Sequence, residues 1–337
     1  MNRKIIVITV MLLLFTAKSD GSTKVEWIAA SNFINPNSTL QETWDTGFQF
    51  SGDWSLNPHW FFVLQDKVSI NNAVNDWTGS LNRCFLRYEN NTIRLDIGRQ
   101  AIGWGIGWFF RPMDVITPLT VQNSEESRVG RDLAALRWST SALTNTELIA
   151  GKDIMAGYAE LQIDKTNLRF FGVTNQNGRK LIGADFRGGL NGFYGEMRFD
   201  WQNAMNEGKL ACMLGKQYNF GNNRLLNLEY FHNNGGEKDP SLYNFSLISI
   251  DNPYLAQNYF GAGYQIPVDE LTVVFLTAII NLDDKSAMLG ATVIACITDN
   301  IDLQGGATVF IGDPLTEFRM LVYQSSIGLN VKLKYYF

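Results

Sequence analysis

The strongest constraint in this chain is a recurring segment of about ten residues in which apolar and polar side chains alternate, each segment ended by Asn, Asp or Gly. A period of two puts every second side chain on one face of an extended strand, whereas a helix needs apolar residues three and four apart. Three segments show it most cleanly. Ile93, Leu95 and Ile97 alternate with Arg94, Asp96 and Gly98. Phe193, Met197, Phe199 and Trp201 alternate with Tyr194, Glu196, Arg198, Asp200 and Gln202. Leu329, Val331, Leu333, Tyr335 and Phe337 alternate with Asn330, Lys332, Lys334 and Tyr336. Beyond the first residues no apolar run approaches the ~20 residues of a membrane helix, the longest being about Leu271 to Leu282, which excludes a helical membrane protein.

The pattern predicts eighteen strands, at 24–33, 42–51, 59–70, 80–89, 92–100, 131–140, 144–151, 155–163, 167–174, 179–187, 193–202, 208–217, 223–231, 258–266, 271–281, 286–297, 301–311 and 328–337. Sixteen is possible if one segment is split or a loop promoted. A soluble β-sandwich or β-helix also alternates, so three further features carry the choice. The apolar face continues over the whole chain in segments of about 9–11 residues, the length that crosses a bilayer when tilted. Nine Trp and twelve Tyr fall near segment ends, where an aromatic girdle belongs. The last strand ends on Tyr335, Tyr336 and Phe337, and a terminal Phe on an apolar face resembles the signal by which bacterial outer-membrane barrels are recognised for insertion. The expected fold is therefore all-β: a transmembrane antiparallel up-and-down β-barrel of about 18 strands. Its expected partners are outer-membrane lipid and the barrel-insertion machinery.

Connection lengths test this reading from within. In such a barrel, connections after odd strands are extracellular and can be long, while those after even strands are short turns. The three longest, 101–130, 232–257 and 312–327, follow strands five, thirteen and seventeen. Those after even strands include Glu89-Asn90-Asn91, Asp164-Lys165-Thr166, Gly188 to Gly192, Pro267 to Glu270 and Thr298-Asp299-Asn300, all rich in turn formers.

Residues 1–19 read as a cleaved signal peptide. Arg3 and Lys4 precede an apolar stretch from Ile5 to Phe15, and Ala17 and Ser19 supply small residues for cleavage after Ser19, with cleavage after Ala17 as the alternative. Residues 20–337 are then the barrel domain, in the bacterial outer membrane. Removing Arg3, Lys4 and Lys18 from 28 basic residues leaves 25 against 33 acidic ones, a net charge of −8. The chain is 18% charged, with no block of like charges, which excludes nucleic acid as a partner. Cys84, Cys212 and Cys296 are odd in number and sit within alternating runs, so they read as wall residues and not as a disulfide framework.

Enzymatic readings find little support. His59 and His232 are the only histidines, and the topology puts them at opposite ends of the barrel, which leaves no histidine-based metal cluster. A hydrolase would have to be assembled from His232, Asp239, Ser241 and Ser246, residues that are ordinary loop composition. No enzyme activity, cofactor or metal is expected.

The least strand-like stretch starts at Gly98-Arg99-Gln100 and runs through Gly103-Trp104-Gly105-Ile106-Gly107-Trp108-Phe109-Phe110 to Arg111-Pro112-Met113-Asp114 and Pro118. Its glycines invite comparison with a phosphate loop, but no βαβ unit or following helix surrounds them. A strand ending in Gly-Arg-Gln, followed by Trp-Gly and Pro-x-Asp, resembles a pattern of porin-like outer-membrane β-barrels of Gram-negative and related bacteria. The resemblance covers about twenty residues and implies a barrel with a functional loop. The residues point the same way, because a loop so rich in Trp, Phe and Ile has to pack against something. By analogy with the third loop of general porins it is expected to fold inward and narrow the lumen; the alternative is a loop packed over the rim.

Charge is uneven on the inward-facing positions. Arg83, Arg87, Arg94, Arg137 and Arg169 fall on strands four to nine, and Glu196, Asp200 and Glu229 on strands eleven to thirteen. Asp114, Glu125 and Glu126 of the loop are placed to face the arginines, which would set a transverse field across a constriction. The competing reading is that these arginines and carboxylates pair to fill a polar interior. Trp104, Trp108, Phe109 and Phe110 could instead stack on sugar rings. The expected function is a pore for small polar solutes, anionic or sugar-like, narrowed by residues 101–130. The alternative is a non-conducting surface barrel whose loops act in adhesion or binding. The transported solute and the oligomeric state stay open.

Overall fold

The computed structural model describes residues 22–34, 41–71, 76–118, 128–176, 178–189, 191–202, 208–247, 254–320 and 327–336. The proposed signal peptide, Glu125, Glu126 and Phe337 lie outside the described residues. Eighteen strands form one closed antiparallel sheet. The first nine are β1 (Ser22–Ile34), β2 (Gln41–Asn57), β3 (Trp60–Asn71), β4 (Asp76–Glu89), β5 (Ile93–Gln100), β6 (Arg131–Ser141), β7 (Thr144–Gly151), β8 (Ile154–Ile163) and β9 (Thr166–Asn175). The second nine are β10 (Arg179–Arg187), β11 (Phe193–Gln202), β12 (Lys209–Asn219), β13 (Leu225–Asn233), β14 (Asn258–Pro267), β15 (Thr272–Asn281), β16 (Ala287–Thr298), β17 (Ile301–Ile311) and β18 (Ile327–Tyr336). Each strand pairs with its neighbours in sequence, and β1 pairs with β18 from Glu26↔Tyr336 to Ile34↔Gly328, so the sheet has no free edge.

Alternation decides the faces. Ile97, Leu148, Phe170, Ile182, Leu214 and Val331 are exposed on the outer face, while Asp96, Glu147, Arg169, Asp185, Glu196 and Glu229 are buried toward the lumen. An outer surface this apolar is costly in water, at about 25 cal/mol per Å², and is the natural lining of a bilayer-spanning wall. At the end carrying the short turns, Trp60 packs on Tyr88 at 5.2 Å and Phe220 lies edge-on to Tyr264 at 6.3 Å, part of the expected girdle. Asp164, Asn191, Asn222 and Asn223, all in turns at this end, adopt positive φ, which short polar side chains tolerate by bonding to their own backbone.

Two strands depart from the sequence reading. β2 continues to Asn57 where the pattern ends it at residue 51. Gly52 and Asp53 read as terminators, yet the Trp54 indole roofs Gly52, and a Cβ there would meet it at 2.5 Å, while Asp53 points into the lumen. β4 begins at Asp76, four residues earlier than expected, and carries a bulge: Gln65 pairs with Arg83 and Asp66 with Leu81, leaving Asn82 as the extra residue.

At the opposite end the long connections interlock. A short helix, α1 (Glu317–Met320), buries Glu317 completely. Its carboxylate accepts from the Leu255 N–H at 2.9 Å, the Tyr259 hydroxyl at 2.5 Å and Asn281 Nδ2 at 2.8 Å, while its own N–H donates to Asp284 at 2.8 Å. Burial, aided by the nearby Asp284, outweighs these donors and pushes the Glu317 carboxyl up from its ordinary 4.5 to about 7. The packed state therefore holds its proton more tightly than the released one. Its extra stability is complete below about pH 4.5, declines as pH rises, and is lost above about 7. Limited proteolysis near α1 is expected to run faster at pH 8 than at pH 5.5, measured against the Glu317→Gln variant at each pH. The same ratio at both pH values would refute the linkage.

Candidate pore constriction

The connection after β5 turns into the barrel. Its backbone is neither helix nor strand, so its N–H groups need acceptors from elsewhere once water is excluded. Two inward carboxylates supply them. Glu196 on β11 accepts from the N–H groups of Ile106, Gly107 (2.8 Å) and Met113 (2.9 Å). Glu229 on β13 accepts from those of Trp108 (2.5 Å), Phe109 (2.9 Å) and Phe110 (3.0 Å), and from the Tyr194 hydroxyl (2.8 Å). Five consecutive amides, from Ile106 to Phe110, thus converge on two side chains, an anion-binding nest filled by the protein's own wall. The glycines make the tight wrap possible: a Cβ on Gly107 would lie 2.0 Å from the Phe110 carbonyl oxygen.

Apolar packing fixes the same position. Phe110 is fully buried and stacks on Phe231 with centroids 5.1 Å apart and planes at 8°, beside Tyr254 and Tyr259. Met113 and Ile116 are fully buried with Trp104 against Ile149, Tyr158, Phe171 and Leu181 of β7–β10. Truncating a buried Phe costs about 3–5 kcal/mol, so the loop is held as firmly as a core element. Tyr254, from the connection between β13 and β14, donates its hydroxyl to the Phe109 carbonyl at 3.0 Å and ties the outer loops to the inner one.

With the loop leaning on β7–β14, open space remains along the inner ends of β2–β9. A cavity of about 470 Å³ there is lined by Arg83, Arg87, Arg94, Arg137 and Arg169, together with Trp104, Asp53, Asp96 and Glu147. All five arginines singled out from the alternation come together in it. Carboxylates of the wall meet them: Arg87 and Arg94 share Asp96 at 2.8 and 2.9 Å, Arg137 meets Glu147 at 3.1 Å, and Arg169 pairs with Asp185 through Nε at 3.0 Å. Arg169 also donates to the Trp104 carbonyl at 2.8 Å, and the Trp104 indole N–H donates to Glu147 at 3.2 Å, so the loop's first limb is stitched into the arginine row. Pairing does not remove the arginines from the passage, since the Arg94 and Arg137 side chains keep 31% and 42% exposure.

Three expectations need correction. Asp114 is not set against the wall arginines; it is buried in an ion pair with Arg128 of the same loop at 2.7 Å. Glu196 and Glu229 do not form an open acidic wall, because the loop amides cap both, and Asp200 accepts from Arg179 at 2.9 Å. Trp108 lies apart from Trp104, lining a second cavity of about 390 Å³ with Arg187, Tyr194, Gln217 and Asn227. Sequence reasoning placed Glu196 and Glu229 in the lumen without seeing their role. The available signal was a glycine-rich loop with many backbone donors and no local acceptors.

No protein-family model and no curated protein matches the chain. Solved outer-membrane porins share its architecture. OccK5 (OpdH) of Pseudomonas aeruginosa aligns at TM-score 0.66 and 11% identity over 94% of this chain and 98% of that one. OpdQ of the same organism aligns at 0.64 and 12% over 94% and 97%, and OccAB3 of Acinetobacter baumannii at 0.59 and 12% over 94% and 99%. At such identities the likeness speaks for the fold alone: this chain has the architecture of the outer-membrane β-barrel porins.

Proposed function

We propose that the chain is a bacterial outer-membrane pore through which small polar solutes diffuse past the inward loop, with anionic solutes favoured. The observation that carries this reading is the cavity beside the loop, where five arginines face three carboxylates. Arginine offers a fixed fork of donors suited to carboxylate and phosphate groups, and in a narrow passage such a cluster raises the local anion concentration. The neighbouring Trp104 and Tyr158 rings, 5.6 Å apart, supply an apolar flank for the uncharged part of a solute. Reconstituting the refolded protein in planar bilayers under a salt gradient tests the proposal. Discrete conductance with an anion-favouring reversal potential is expected. A tight barrel without conductance would move the reading to a surface protein acting through its interlocked outer loops.

The location has its own test. The protein should partition with outer membranes and migrate differently in heated and unheated gels. Recovery in the periplasmic fraction without detergent would sink the assignment. Phe337→Asp should impair insertion far more than substitution of Lys334, whose position in the alternation is inward, because insertion reads the apolar face of the last strand. Equal insertion of both variants would count against that role of Phe337.

A further inference from the structure

The loop does something that its bulk alone does not explain. Glu196 and Glu229 are buried, at 3% and 0% exposure, although both occupy lumen-facing positions in the middle of their strands. What covers them is the loop backbone. Between Gly105 and Thr117 the charged side chains are Arg111, which donates to the Gly107 carbonyl at 2.6 Å, and Asp114, which pairs with Arg128, so their formal charges cancel within the stretch. Arg198, which donates to the Pro112 carbonyl, lies 3.9 Å from Asp200, a carboxylate that also accepts from Arg179, so uncovering that corner exposes cationic side chains as well, and the comparison that isolates the glutamates is the one between deletion variants with and without them.

We propose that the inward loop is an electrostatic mask as well as a constriction: its consecutive amides take the two glutamates out of the ion path and so leave the arginine-lined cavity to set selectivity. The proposal rests on the pore reading and adds the residues that govern its charge preference. With the mask in place, the passage presents five arginines against Asp53, Asp96, Glu147 and the Asp185 that holds Arg169. Without it, Glu196 and Glu229 would join these four carboxylates and reverse the small excess. A single charge about 5 Å from the ion path in water changes local ion concentration by about fourfold, so two restored carboxylates are a large enough change for a reversal potential to read.

The test removes Gly105 to Thr117 in one variant and, in a second, combines that deletion with E196Q and E229Q, after both are shown to keep heat-modifiable gel migration. Reversal potentials should shift toward cations on deletion and return toward anions when the glutamines are added. Identical reversal potentials in the two deletion variants would overturn the mask. A second measurement does not depend on current: coupling of a small amine by a water-soluble carbodiimide, located by mass spectrometry. Glu196 and Glu229 should be unlabelled in the native barrel and labelled after the deletion, and labelling of both in the native barrel overturns the proposal. A native barrel that passes no current refutes the pore reading, while the labelling pattern still decides whether the loop covers the two carboxylates.

Discussion

Deleting Gly105 to Thr117 is expected to raise single-channel conductance severalfold while leaving β content and heat-modifiable migration unchanged. The wall does not need the loop: β5 and β6 pair directly from Ile93↔Trp138 to Gln100↔Arg131, and the ring closes through β1 and β18. The loop occupies the lumen with fully buried Phe110, Met113 and Ile116, and a channel conducts according to its narrowest section. Some stability should be lost, because Tyr254, Phe231 and Glu229 lose the groups they pack on or bond to. Conductance equal to that of the native barrel would mean that the narrowest point lies elsewhere and would remove the loop from the mechanism.

The second large effect is expected from the arginines. In R87Q/R94Q the cavity keeps Arg83, Arg137 and the Asp185-held Arg169 against Asp53, Asp96 and Glu147. Each lost charge, at about 5 Å from the ion path, is worth about 0.8 kcal/mol in water, or about fourfold in local anion concentration. The reversal potential should therefore fall close to the unselective value, and charge reversal of the same pair should carry it toward cations. The effect should shrink as salt rises toward 1 M, where the screening length is about 3 Å. Because both side chains share Asp96, their effects should not add: the first substitution leaves the other arginine more firmly held, so the double variant should exceed the sum of the singles. A reversal potential unmoved by both changes would assign the arginines to pairing alone.

Much of this architecture was legible along the chain. Strand positions followed from alternation, since the two faces of a closed barrel meet different solvents and each side chain reports which one it faces. The parity of long and short connections followed from the chain's need to return to the same edge after every second strand. The inward arginines were legible for the same reason, as polar positions inside apolar-alternating segments. β2 and β4 were read too short because the roles of Gly52 and Asp53 depend on the Trp54 ring above one and the lumen beside the other.

The sequence by itself determined that an amide-rich apolar loop had to pack against something, and which strand it followed, but not whether it turned inward or lay over the rim. Only the tertiary structure decided which wall the loop would meet. The acceptors for its amides sit on β11 and β13, 83 to 121 residues further along the chain, and become neighbours only when the sheet closes. Hairpin register, and not closure, joined Asp96 to Arg87 across the β4–β5 pair, Glu147 to Arg137 across β6–β7 and Asp185 to Arg169 across β9–β10. Periodicity reports the face of a residue because it is a property of neighbours in sequence. The partner of a buried charge is set by register and closure, and that choice turned a barrel of nearly balanced inward charges into one with a basic passage on one side and two silenced carboxylates on the other.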